Sequence, residues 1–183
     1  MMIKITGGYL KGHYLKTDLK GVRPTSELVR LSIFNILEKK VEGAVVLDLY
    51  AGCGALGIEA LSRGAEKSVF VDKSFKVINV IKQNLVKTGL TGKSIVKKLN
   101  LPEGIGMITE FAPFDIIFLD PPYEKLLVLK TLTQISVFNL LVENGLVIAE
   151  HSIREDTQNN IFNLIMVKSY NYGDTNLTIY SRG

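Results

Sequence analysis

Cysteine is nearly missing from this chain: Cys53 is the only one in 183 residues. An internal disulfide is therefore excluded, and a reducing compartment is expected. Histidine is scarce too. His13 and His151 lie far from each other and from Cys53, so the sequence has no zinc-site spacing and no metal is expected. No apolar run approaches the ~20 residues that cross a bilayer. The first eight residues, MMIKITGG, lack the apolar core of a signal peptide, so the sequence reads as cytoplasmic with no membrane partner. What is present is ordinary for a soluble globular protein, with 46% hydrophobic and 22% charged residues. The length suits one α/β domain with a modest extension.

Charge is unevenly spread. Residues 1–40 carry eight Lys/Arg against three acids, and the other 143 residues carry 14 basic and 15 acidic side chains. The whole excess of +4 thus comes from the N-terminal segment. Such asymmetry points to a polyanion such as nucleic acid.

Residues 3–6 and 12–17 are short and β-prone around Gly7, Gly8 and Gly12, and read as a small hairpin. After a break at 21–24, Thr25 or Ser26 can cap a helix to about Lys40, with Glu27 in its first turn and Val29, Ile33 and Ile36/Leu37 on its apolar face. From Ala44 strands alternate with helices. Strands are expected at 45–47, 68–71, 94–97, 115–119 and 145–149, with helices at 55–63 and 75–87. Continuous apolar strands between amphipathic helices indicate a parallel sheet covered on both faces. Residues 162–172 and 177–180, around Gly173-Asp174, suggest a terminal antiparallel hairpin.

The first strand of this series runs into Asp48-Leu49-Tyr50-Ala51-Gly52-Cys53-Gly54-Ala55-Leu56-Gly57. Glycines 52, 54 and 57 form G-x-G-x-x-G between a strand and a helix, and Asp72 ends the next strand, where it can accept both hydroxyls of a ribose. By spacing alone this would suit NAD. Asp48 argues otherwise, because it sits where a pyrophosphate would rest on the helix N-terminus. Like charges about 4 Å apart repel by roughly 4 kcal/mol at an effective dielectric of 20. S-adenosylmethionine has no phosphate, and its sulfonium and ammonium groups would be attracted by a carboxylate. Cys53 needs no more than its small size in a tight loop, and His151 is assigned no catalytic role.

The strand Phe114–Leu119 ends in Asp120-Pro121-Pro122-Tyr123. Each proline forces the residue before it out of the helical region. The result is a stiff extended arm with free carbonyls beside a carboxylate, at the strand end where open α/β sheets bind ligands. Such an arm offers acceptors to a planar –NH2 group, and Tyr123 can stack on the ring that carries it.

Here the sequence resembles a known family. Gly7-Gly8 with Lys11-Gly12, Arg23-Pro24-Thr25-Ser26, Phe34-Asn35, Asp48–Gly57 continuing as Ala60-Leu61-Ser62-Arg63-Gly64-Ala65, Asp120–Tyr123 and Tyr172-Gly173-Asp174 together resemble the bacterial 16S rRNA guanine-966 2-amino-methyltransferases, over almost the whole chain. The resemblance implies an α/β, Rossmann-like class I methyltransferase fold, with a mainly parallel seven-stranded sheet and an antiparallel C-terminal strand. Residues 1–42 would form an RNA-contacting hairpin and helix, and residues 43–183 the catalytic domain. It implies S-adenosylmethionine as cofactor, held by Asp48, Tyr50, Ala51, Gly52, Gly54, Gly57, Asp72, Lys73, Asn100 and Asp120. Catalysis would fall to Asp120, Pro121, Pro122 and Tyr123, and RNA contacts to Lys11, His13, Arg23, Thr25 and Arg30. The implied substrate is 16S rRNA in the small ribosomal subunit or an assembly intermediate, acted on by a monomer.

Three departures stand out. His13 replaces a customary arginine, Leu28 a commonly charged residue, and the acid expected after the third strand is missing in Lys97-Lys98-Leu99-Asn100, where Asn100 can substitute. D-P-P-Y does not by itself identify the base. An amine methyltransferase acting on adenine or cytosine in another RNA or in DNA stays open, as does an RNA-binding assembly factor without catalysis. An NAD-dependent oxidoreductase is disfavoured by Asp48.

Overall fold

A computed structural model describes residues 2–17, 26–122, 126–155 and 157–183. The chain forms two compact units, residues 1–98 and 99–183.

The first unit opens with an antiparallel hairpin, β1 (Met2–Lys4) and β2 (Tyr14–Lys16), whose Ile3 and Leu15 point inward and pair in register. Helix α1 (Glu27–Leu37) starts at Ser26, whose hydroxyl accepts from the Val29 N–H at 3.2 Å, and ends in a 3-10 turn, Glu38–Val41. Strand β3 (Val45–Leu49) leads to α2 (Ala55–Ser62), then β4 (Lys67–Asp72), α3 (Phe75–Thr88) and β5 (Ser94–Lys98). These three strands are parallel in the order β5-β4-β3. Helix α3 has the clearest amphipathic spacing: Val77, Ile78, Val80, Ile81, Asn84 and Leu85 are buried, Ser74 caps its start and Gly89, at φ 72°, ends it.

The hairpin is built into this unit by polar contacts that a simple apolar patch would not require. Ser62, at the end of α2, donates from Oγ to the Gly7 carbonyl at 2.7 Å and accepts there from the Leu10 N–H at 3.0 Å. Its own carbonyl accepts from the Tyr9 N–H at 2.9 Å. Gly8 has φ 73°, and a Cβ there would lie 1.8 Å from the Ser62 carbonyl oxygen, so only glycine fits. Beneath the loop, buried Glu59 accepts from the Thr6 hydroxyl and pairs with Arg63 at 2.8 Å. Ser62→Ala would strip partners from a backbone N–H and a carbonyl in the interior. A loss of about 1–3 kcal/mol in urea unfolding is expected; an unchanged midpoint would mean that water replaces both bonds.

The second unit contains β6 (Phe114–Leu119), α4 (Leu127–Val137), β7 (Leu141–Ser152), β8 (Asn160–Ile161), β9 (Leu164–Tyr172) and β10 (Thr175–Arg182). β6 runs parallel to β7, and β10, β9 and β8 follow antiparallel, in the order β6-β7-β10-β9-β8. β7 begins four residues before the expected start at 145, because the irregular register between Phe114 and Ile116 accommodates the turn-like Glu143-Asn144-Gly145 within the strand. The two-residue β8 brings the strands of the two units, the hairpin apart, to eight rather than seven. The alternation of parallel strands and helices, closed by antiparallel strands, is the Rossmann-like α/β fold expected from the sequence. His151 is buried between β7 and β10, with Nε2 2.8 Å from the Thr178 hydroxyl and Nδ1 3.0 Å from the Ser152 carbonyl. Its surroundings make it a core histidine.

Candidate functional site

The glycine loop is shaped by backbone that bulky residues resist. Tyr50, Gly52 and Gly54 all have positive φ, at 59°, 54° and 81°. The Ala51 N–H donates to the Val71 carbonyl at 3.1 Å, tying the loop to β4, and the Gly54 N–H returns to Ala51 O at 2.7 Å. Gly57 serves a different need. A Cβ there would stand 2.3 Å from the Phe70 ring and 2.7 Å from Ser68 Oγ, so its absence lets α2 lie directly on β4.

Two carboxylates face this loop from the ends of adjacent strands. Asp48 is 2% exposed, and its Oδ2 accepts from the Gly57 N–H at 3.0 Å. An N–H that would meet a phosphate at a helix start is thus already taken by the protein's own acid. Burial pushes the Asp48 carboxyl up to about 8; the Gly57 bond opposes this and the charge of Asp72 adds to it. Asp72 accepts from Gly52 N–H at 3.3 Å through Oδ2 and from Ser74 N–H at 2.9 Å through Oδ1. Its carboxyl is also raised, chiefly by burial, against the backbone bonds and neighbouring Lys73. Two acids raised by burial in this way gain a partner when a cationic ligand binds, which favours their ionised form, and gain none from an anionic one. Lys73 is exposed.

Cys53, within the loop, is buried, and burial pushes its thiol up to about 11. The protonated thiol is a poor nucleophile, in keeping with a purely spatial role.

In the second unit, Asp120 is half-buried just past the end of β6, Pro121 is buried and Pro122 exposed. Tyr123 lies outside the described residues. Asn100, proposed to replace a missing acid, is exposed and its Nδ2 donates to Glu103 Oε2 at 3.3 Å. The local acid therefore stands three residues further along the chain than the Asn100 position.

The expected RNA contacts divide. Lys11 and His13 are exposed on the hairpin loop, with His13 Nδ1 3.0 Å from the Leu10 carbonyl. Arg23 and Thr25 lie outside the described residues. Arg30 is a correction: it is 2% exposed, donates to the Lys4 carbonyl at 2.9 Å and lies 3.7 Å from Glu59. A guanidinium enclosed by its own carboxylate partner is not available to a phosphate. The sequence placed it on a basic helix, and only the packing of α1 shows that it lies on the buried face.

Asn84 was missed altogether. Fully buried on α3, it accepts from the Lys16 N–H at 2.8 Å and donates to the carbonyls of Lys16 at 3.0 Å and Cys53 at 2.9 Å. It joins the hairpin to the glycine loop. A polar residue among the inward positions of α3, between Ile81 and Leu85, was the available signal.

Among the described residues, no group of three or more His, Cys, Asp or Glu is placed to hold a metal ion, and no helix is long and apolar enough to cross a membrane.

Comparison with known proteins agrees with this architecture. The family model described as Conserved hypothetical protein 95 matches residues 3–181. "Putative rRNA methyltransferase YlbH" of Bacillus subtilis strain 168 is 36% identical over 182 residues, covering 98% of this chain and 99% of that protein. "Ribosomal RNA small subunit methyltransferase D" of Escherichia coli strain K12 is 34% identical over 145 residues, covering 78% of this chain and 68% of that one. Among solved structures, "Putative methyltransferase yhhF from Escherichia coli" superposes with a TM-score of 0.83 at 28% identity, covering 100% of this chain and 98% of that one. With a family match along nearly its whole length and relatives of this kind, the chain belongs to the Conserved hypothetical protein 95 family, a family of bacterial ribosomal RNA methyltransferases.

Proposed function

We propose that this protein is an S-adenosylmethionine-dependent enzyme that methylates the exocyclic 2-amino group of a guanine, guanine 966, in 16S rRNA of the small ribosomal subunit or its assembly intermediate, acting as a cytoplasmic monomer. The observation that carries the reading is the buried Asp48, whose carboxyl is raised to about 8 by burial, with the charge of Asp72 adding to the rise. That arrangement fits a ligand with sulfonium and ammonium groups and a ribose, and is hostile to a dinucleotide pyrophosphate.

Asp48 would hold the positive end of the cofactor and Asp72 its ribose hydroxyls, with the loop 50–54 allowing close backbone approach. Tyr50, Ala51 and Lys73 would complete the contacts, with Asn100 near the adenine. Once bound, the cofactor supplies a methyl group already activated by its sulfonium. The protein's task is then alignment, which can supply roughly 7–11 kcal/mol. The Asp120 carboxylate and the Pro121 carbonyl would accept hydrogen bonds from the amine, turning its lone pair out of conjugation with the ring. Pro122 keeps the arm extended, and Tyr123 would stack on the base, unstacked from its neighbours. The methylated amine is strongly acidic, so the proton can leave after transfer without a dedicated base.

The test is direct. The protein is incubated with S-adenosylmethionine and small subunits lacking the modification, with naked 16S rRNA and duplex DNA alongside, and the products are digested to nucleosides for mass spectrometry. N2-methylguanosine from the subunits is expected. Methylated adenine or cytosine would move the target to another base, and RNA binding without any methylation would leave an assembly factor.

A further inference from the structure

The loop that joins β1 to β2 presents an exposed aromatic ring. Tyr9 is 65% exposed, and with Tyr14 it is one of only two exposed tyrosines among the described residues. An exposed aromatic on a loose loop would say little. Here the backbone is pinned on both sides of the residue.

The Tyr9 N–H donates to Ser62 O at 2.9 Å, and the next N–H, of Leu10, donates to Ser62 Oγ at 3.0 Å. Leu10 is buried, and Gly8 stands so close to Ser62 that no side chain fits. Further bonds close the loop on itself: Ile5 N–H to His13 O at 2.9 Å, Gly12 N–H to Ile5 O at 2.9 Å, and His13 N–H to Leu10 O at 3.0 Å. The ring is therefore carried on preorganised backbone, and a partner meeting it loses little ordering entropy in the loop.

The surroundings select the kind of partner. Residues 1–17 contain Lys4, Lys11 and Lys16 and no acid at all. Lys11 and His13 flank Tyr9 at two and four residues' distance, and both are exposed. An aromatic ring on ordered backbone, in a segment that carries lysines and no carboxylate, matches single-stranded nucleic acid: phosphates for the lysines and the face of a base for the ring.

We propose that Tyr9 is a stacking platform for an unpaired base of the RNA, held in place by the clamp of the 5–13 loop on Ser62. The proposal rests on RNA being the substrate, and it adds a contact that depends on base faces rather than on phosphate charge.

The chain contains no tryptophan, so Tyr9→Trp places a single indole at the proposed contact. The full-length variant is titrated with a 12-nucleotide single-stranded RNA of mixed sequence, and with an abasic RNA of the same length. Quenching by the intact RNA and none by the abasic one is expected. Tyr9→Ala should weaken binding of the intact RNA roughly tenfold, with the slope of affinity against salt unchanged, whereas Tyr9→Phe stays near wild type. Thermal unfolding of the variants checks that the loop is intact. Wild-type affinity in Tyr9→Ala, or equal quenching by the abasic strand, overturns the platform; the ring would then be left for a protein component of the subunit. If the wild type still methylates small subunits in that case, only the platform falls. If the wild type neither methylates the subunits nor binds RNA, the functional reading falls with it.

Discussion

Asp120→Ala is expected to lower the rate of methyl transfer by roughly 100- to 1,000-fold, the usual cost of removing one preorganised polar group that acts on the reacting centre. Asp120 follows β6, where Pro121 and Pro122 hold the chain extended. In the proposed mechanism, without the carboxylate the amine would lose the acceptor that turns its lone pair toward the methyl carbon, and the remaining Pro121 carbonyl would fix one direction only. Asp120→Asn keeps one acceptor oxygen but adds an NH2 that repels the amine's own donors, so it should fall near the alanine variant rather than near wild type. Cofactor binding should stay within about twofold, because the acids proposed to hold it, Asp48 and Asp72, belong to β3 and β4. Single-turnover kinetics with small subunits, paired with calorimetric binding of S-adenosylhomocysteine, separates the two. A parallel loss of cofactor affinity would show that, of the two roles the family resemblance implies for Asp120, holding the cofactor outweighs orienting the amine.

Asp48 carries the second large effect, and it is visible in pH. The carboxyl ionises near 3.8 as an unperturbed group and near 8 in the folded chain, because burial outweighs the Gly57 hydrogen bond and Asp72 adds repulsion. Between those values the folded state holds a proton that the unfolded state has released. The contribution of Asp48 to stability is therefore complete below the lower value and falls by about 1.4 kcal/mol for each pH unit until the upper one is reached. Asp48→Asn imitates the protonated group and should remove this part of the slope, leaving the variant more stable than wild type at neutral pH in urea titrations. A cation in the cradle reverses the preference by favouring the ionised carboxylate. Cofactor affinity of the wild type should accordingly rise toward pH 8, by up to about tenfold per unit, with release of a proton measurable by calorimetry in buffers of different ionisation enthalpy. Asp48→Asn should bind more weakly and without that dependence. Affinity that is flat from pH 6 to 8 in the wild type would remove Asp48 from the cofactor site.

Much of the architecture was readable because it is local. Helix α3 was expected over 75–87 and spans Phe75–Thr88; the glycine loop, the strand before it and Asp72 after it were all placed by spacing. Apolar periodicity and glycine positions act within one or two turns of chain, where sequence neighbours are also neighbours in space. Helix α4 was not among the expected elements even though Val128, Leu132 and Ile135 carry helical spacing. The β7 strand was placed too short, since a turn-like Asn-Gly inside a strand is legible only once its partner strand is known.

The sequence by itself thus determined the order of strands and helices, the glycine-rich turn after β3, the acids Asp48 and Asp72 in β3 and β4, and the basic bias of the N-terminal segment. Only the tertiary structure decided which charges face outward. Arg30 and Glu59 are 29 positions apart and Asn84 and Lys16 are 68 apart, yet each pair meets in the interior. A cation on an amphipathic helix has the same local sequence signature whether it meets solvent or a buried carboxylate, and the difference lies in long-range packing. The same packing turned Gly7-Gly8 from a turn signal into a clamp on Ser62, and so made Tyr9 an ordered, outward-facing ring.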